Sequence, residues 1–112
     1  MKVVPSDLPQ RIARNEATFR RINEDIGRGR DAGDDVTLIG FVCECGHADC
    51  ARLIELTPAE YEHVRSGPTD FAVVSGHEIE GVERVLERRD RYTVVRKLDS
   101  GGTIALATDP RS

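Results

Sequence analysis

Five aromatic residues, none of them tryptophan, are what this chain of 112 residues offers for filling a core or stacking on a base. Proteins that hold single-stranded nucleic acid rely on aromatic platforms, and duplex binders concentrate basic residues on one face. This chain does neither, because its formal net charge is −4 and its basic excess is confined and small. Residues 1–30 carry +3, and the remainder carries −7. Nucleic acid is therefore disfavoured as a partner. No apolar run reaches the length of a membrane span, and Met1-Lys2-Val3-Val4-Pro5 has no signal-peptide character. The expectation is a cytoplasmic chain with no membrane contact.

Cysteine is scarce too, and its placement is informative. All three cysteines lie within the eight residues Cys43-Glu44-Cys45-Gly46-His47-Ala48-Asp49-Cys50. In a reducing compartment such a cluster reads as ligands or redox groups rather than as disulfides, and an odd count cannot pair fully within one chain. Cys43 and Cys45 project from the same side of a strand. Gly46 permits the tight turn that returns Cys50 towards them. Zinc takes about four nitrogen or sulfur ligands in a tetrahedron, and structural sites favour thiolate. His77, in a turn after an apolar strand, is the first candidate for the fourth ligand. His47, sterically crowded inside the loop, is the alternative, with Asp49 or water behind it. His63 is set aside because Tyr61 and Val64 mark the other side of its helix as the inward one. Three thiolates neutralise the ion's Lewis acidity, so a closed structural site is expected, with no catalytic residue assigned. Glu44 and Asp49 read as solvated loop carboxylates.

Around this cluster the hydrophobic period changes. Leu8, Ile12, Phe19, Ile22 and Ile26 recur at helical spacing, with Asn15 in a polar slot, and predict a helix over about 6–27. Ser6 or Asp7 serves as its cap and Pro9 lies in its first turn. The stripe is expected to dock on the chain's own sheet or on a twin chain. Arg14, Arg20, Arg21 and Arg28 would then be left outward for an acidic protein partner. From Val36 a period of two leads through Ile39, Phe41, Cys43 and Cys45. Arg52 to Leu56 reads as a strand. Thr57-Pro58-Ala59-Glu60 is a capping box that starts a short helix, which Gly67-Pro68 stops. Phe71 to Ser75, Val82 to Leu86 and Tyr92 to Leu98 read as further strands, the second of them also fitting helical spacing. Residues 99–112 read as a loose tail. The fold class expected is α+β: a single domain, 1–112, with a long amino-terminal helix and a short second helix on a small, mainly antiparallel sheet over about 36–98, stapled by a zinc knuckle.

The chain resembles a family of small bacterial proteins, actinobacterial in type. The likeness rests on Arg14-Asn15-Glu16 with Phe19 and Asn23, on Phe41-Val42-Cys43-Glu44-Cys45-Gly46 with Cys50, and on Leu56-Thr57-Pro58-Ala59-Glu60-Tyr61. It continues through Gly76-His77-Glu78 and Val82-Glu83-Arg84-Val85. The resemblance favours His77 over His47 as a motif position and implies no activity. Three function classes are consistent with these residues. They are a zinc-stabilised interaction or regulatory module binding protein, a thiol-based redox or zinc sensor, and a metalloenzyme, in that order.

Overall fold

A computed structural model describes residues 8–28, 37–45, 50–79 and 81–111. Helix α1 spans Leu8–Arg28, and strands β1 (Ile39–Val42) and β2 (Leu53–Leu56) follow as an antiparallel pair. Helix α2 (Pro58–Arg65) leads to β3 (Asp70–Val73), then β4 (Glu83–Arg88), β5 (Thr93–Lys97) and helix α3 (Asp99–Ala107). The last three strands form a second antiparallel sheet in the order β3-β5-β4. The fold is α+β, with its strands divided between two small antiparallel sheets rather than gathered in one. Main chain joins the sheets where Glu44 N–H donates to Ala72 O at 2.9 Å.

The strand patterns explain this layering. All four residues of β3 are buried, because its sheet is covered on both faces. On one face Ile39, Phe41, Ile54, Leu56, Tyr61 and Val64 pack against Ala72 and Val94. There Phe41 and Tyr61 stack with ring centroids 4.5 Å apart. On the other face Cys43 and Cys45 join Phe71, Val73, Val95 and Ala105 of α3. The cysteine strand is thus part of the core, not an appendage to it. Helix α2 begins at the capping box the sequence announces, with Thr57 Oγ1 accepting from Glu60 N–H at 3.1 Å and Glu60 Oε1 accepting from Thr57 N–H at 2.8 Å.

Two expectations are corrected. Residues 99–107 are helical, so the carboxy-terminal segment is not a loose tail. Its two glycines sit where side chains would collide: a Cβ at Gly101 would lie 3.0 Å from Lys97 Cε, and one at Gly102 would lie 3.3 Å from Lys97 O. They let α3 lie close against the end of β5.

The second correction concerns which face of α1 turns inward. Phe19 is half-buried and Ile22 is 42% exposed, while Glu16, Arg20, Asn23 and Glu24 are buried. The side chains of Leu8, Ile12 and Arg28 lie outside the described residues. Residues at i, i+4, i+7 and i+8 share one helical face, and here that face is polar. Arg20, expected on an outward arginine face, instead donates to Pro68 O at 2.6 Å and Ala105 O at 2.7 Å and lies over the Phe71 ring. Glu24 accepts from Arg65 Nε at 2.8 Å and from Arg111 Nε at 2.9 Å. Lys97 Nζ donates to Glu83 Oε1 at 3.0 Å and makes an ion contact with Glu16 Oε1 at 2.7 Å that lacks hydrogen-bond alignment. Because one ammonium serves two buried carboxylates, burial pushes the Glu16 carboxyl up to about 8 despite the pull of Lys97. Docking of α1 therefore combines these paired polar groups with part of its apolar stripe, since Ile26 packs half-buried against the core.

Candidate metal centre

Three pieces of local structure converge on one point. The β1–β2 ladder continues past Val42 through Cys43 N–H to Arg52 O at 2.9 Å, which sets Cys43 opposite the chain returning from Cys50. Cys43 and Cys45 lie just past the end of β1, and both are buried, at 1% and 0% exposure respectively. From the neighbouring sheet, β3 runs into a turn in which His77 N–H donates to Val74 O at 2.9 Å. Gly76 closes that turn at φ +93°, in the left-handed region that glycine enters without a Cβ clash.

The result is a cluster in which one ligand atom from each of Cys43, Cys45, Cys50 and His77 lies within 4.8 Å of every other. His77 Nδ1 is 3.7 Å from both Cys43 Sγ and Cys50 Sγ. In a tetrahedral zinc site, Zn–S of about 2.3 Å and Zn–N of about 2.1 Å place sulfur and nitrogen about 3.6 Å apart. The observed spacing therefore suits a metal of that size at the centre. None of the three cysteines is in a disulfide. These four residues lie close together and could hold a metal ion.

The surroundings prepare the site electrostatically. Burial pushes the Cys43 thiol far above its ordinary range, the Val74 N–H opposes this, and Cys45 and Cys50 add to it. Val74 N–H points at Cys43 Sγ from 3.1 Å, a donor that favours the thiolate once a cation is near. Metal binding here means replacing thiol protons by the ion, so it releases protons to solvent.

Sequence reasoning missed the supporting layer. Glu44 is not a solvated loop carboxylate. It is fully buried, and its Oε1 accepts from Ala72 N–H at 2.9 Å while its Oε2 accepts from Asn23 Nδ2 at 2.8 Å. Burial raises its carboxyl to about 7 against the pull of those two donors. Asn23 also exchanges two bonds with the backbone of Val42, each 2.8 Å long, so its amide imitates a neighbouring strand. The ligand strand is thus held on both sides, with sulfurs facing His77 and Glu44 facing α1. The signal was present in the alternation itself, because Cys43 and Cys45 facing the core obliges Glu44 to point oppositely.

The other candidates are placed as follows. His63 is outward, its side chain 56% exposed and paired with Glu87 at 2.7 Å. His47 and Asp49 lie outside the described residues. No described helix is long and apolar enough to cross a membrane. No family model matches the chain, and neither a curated protein nor a solved structure shows significant similarity to it.

Proposed function

We propose that Cys43, Cys45, Cys50 and His77 hold one zinc ion as a structural centre, and that the body it fastens is a small module for protein contact. One observation carries the first part: three thiols from the segment between β1 and β2 and an imidazole nitrogen from the turn after β3 meet within 4.8 Å. Sulfur-rich, four-ligand sites are the closed, structural kind, whereas catalytic zinc keeps a position for water or substrate. The ion would join the β1–β2 pair to the turn after β3, adding to the links through Glu44, through Val74 N–H on Cys43 Sγ and through the shared core.

The ligand assignment is tested by histidine substitutions. His77→Ala should raise the rate of zinc loss to a competing chromophoric chelator by at least about tenfold, the scale on which even supporting groups act. His63→Ala should leave that rate unchanged. Equal rates for the two variants would remove His77 from the site.

The contact role rests on four exposed apolar side chains, Leu38, Leu53, Leu106 and, on the outward side of α1 beside half-buried Phe19, Ile22. An exposed branched residue next to an aromatic ring offers area to a protein surface or to a twin chain. Light scattering on the zinc-loaded protein and on Ile22→Asp separates these. A dimer lost in the variant assigns a twin chain, and a wild-type monomer rules the twin chain out. A dimer that persists in Ile22→Asp would overturn this placement.

A further inference from the structure

Between α1 and α3 lies a cavity of about 350 Å³, lined by Arg14, Ala17, Thr18, Arg21 and Thr108. That volume falls in the range of small-molecule sites, roughly 300–1,000 Å³. Arg14, Thr18 and Arg21 are spaced i, i+4 and i+7, so they form one ridge along α1. The two arginine backbones are about 10 Å apart along the helix axis, a span that flexible guanidinium arms can close over a ligand between them. No carboxylate lines the cavity.

Arg88, Arg89, Arg91, Arg96 and Arg111 each contact a carboxylate. Arg14 and Arg21 make no such ion pair among the described residues; the same is true of exposed Arg52 and Arg84, but of these four only Arg14 and Arg21 line the cavity. An acidic chain that neutralises so many of its arginines leaves two positive groups facing one concave space. Thr18 and Thr108 carry no charge to offset the two cations; their hydroxyls donate to Arg14 O at 3.2 Å and Ile104 O at 2.7 Å. Their oxygens and Ala17 give the groove a neutral, partly apolar floor.

We infer that this groove binds small organic molecules carrying two anionic groups, one engaged by Arg14 and the other by Arg21, with the linking chain over Ala17. Guanidinium binds phosphate and carboxylate alike through paired hydrogen bonds. The site is separate from the cysteine cluster and does not depend on the metal reading.

The experiment titrates the metal-loaded protein with hexane-1,6-diyl bisphosphate and, in a second arm, with adipate. Both chelate zinc weakly and so leave the cysteine cluster intact. Amide shifts should move saturably around 14–21 and 108. Arg14→Ala and Arg21→Ala should each weaken binding by about tenfold, the loss expected from one charge-assisted contact. Arg84→Ala, an exposed arginine on β4, should not change it. Saturation by the bisphosphate alone assigns a phosphate ligand, and saturation by adipate alone assigns a dicarboxylate. Absence of saturable shifts in both arms, or equal weakening by Arg84→Ala, would overturn the inference.

Discussion

Stripping the metal from the purified protein should abolish its cooperative unfolding transition. The cysteine strand lies in the core, where Cys43 and Cys45 pack with Phe71, Val73, Val95 and Ala105. Structural zinc in small sites contributes about 10–16 kcal/mol at neutral pH. That equals or exceeds the whole stability of an ordinary domain, about 5–15 kcal/mol. Without the ion, strand β1 keeps its pairing with β2, but the turn carrying His77 loses its tie to it. Thermal melts followed by circular dichroism, with and without chelator, check this. The chelated protein should melt over a broad range or not at all, and added zinc should restore the transition. An unchanged melt in protein verified to be metal-free would show that the cysteines are ordinary core residues.

Lys97→Met should lower the stability of the metal-loaded protein by about 3–5 kcal/mol, because breaking a buried ion pair leaves an uncompensated charge. Lys97 is completely enclosed together with Glu16 and Glu83, and it is the ammonium that both carboxylates share. Methionine keeps much of the volume, so the loss reports charge rather than a cavity. The same triad sets a pH dependence. Glu16 has a folded pKa of about 8, above its ordinary 4.5. A raised folded pKa means stability that is full below the ordinary value and lost as pH rises through the folded one. Urea midpoints of the wild-type protein should therefore fall between about pH 4.5 and pH 8, and those of Glu16→Gln should fall less, keeping only the decline that Glu44, raised to about 7, contributes. A wild-type midpoint in Lys97→Met would show that the triad does not form.

The contrast between α1 and α2 shows what the sequence discloses and what it conceals. Helix α2 is legible because its determinants are local: Thr57 and Glu60 bond within one turn, and Pro58 needs no partner for an N–H it lacks. The cysteine–histidine cluster is legible for a related reason, since three cysteines within eight residues mark one place in the chain. His77 was reachable because it sits in a turn directly after an apolar strand, where packing of that strand brings it beside the thiols. Helix α1 is legible as a helix but not in its orientation. Its apolar stripe argues for one inward face, yet the face that turns in carries Glu16, Arg20, Asn23 and Glu24. Each of these has its partner far along the chain, at Lys97, Pro68 and Ala105, Val42, and Arg65 respectively. Periodicity records how apolar a face is, not whether its polar groups find mates elsewhere. Helix α3 is hidden for a different reason. Gly101 and Gly102 lower helix propensity and read as a turn, but their place is fixed by close approach to Lys97.

The central claim is that the four residues bind one metal as a set. Zinc K-edge absorption of the loaded protein tests it most directly, since it counts ligands and measures their distances. The account predicts three sulfurs at about 2.3 Å and one nitrogen at about 2.0–2.1 Å. Fewer than three sulfurs, or an oxygen in the fourth position, would contradict it.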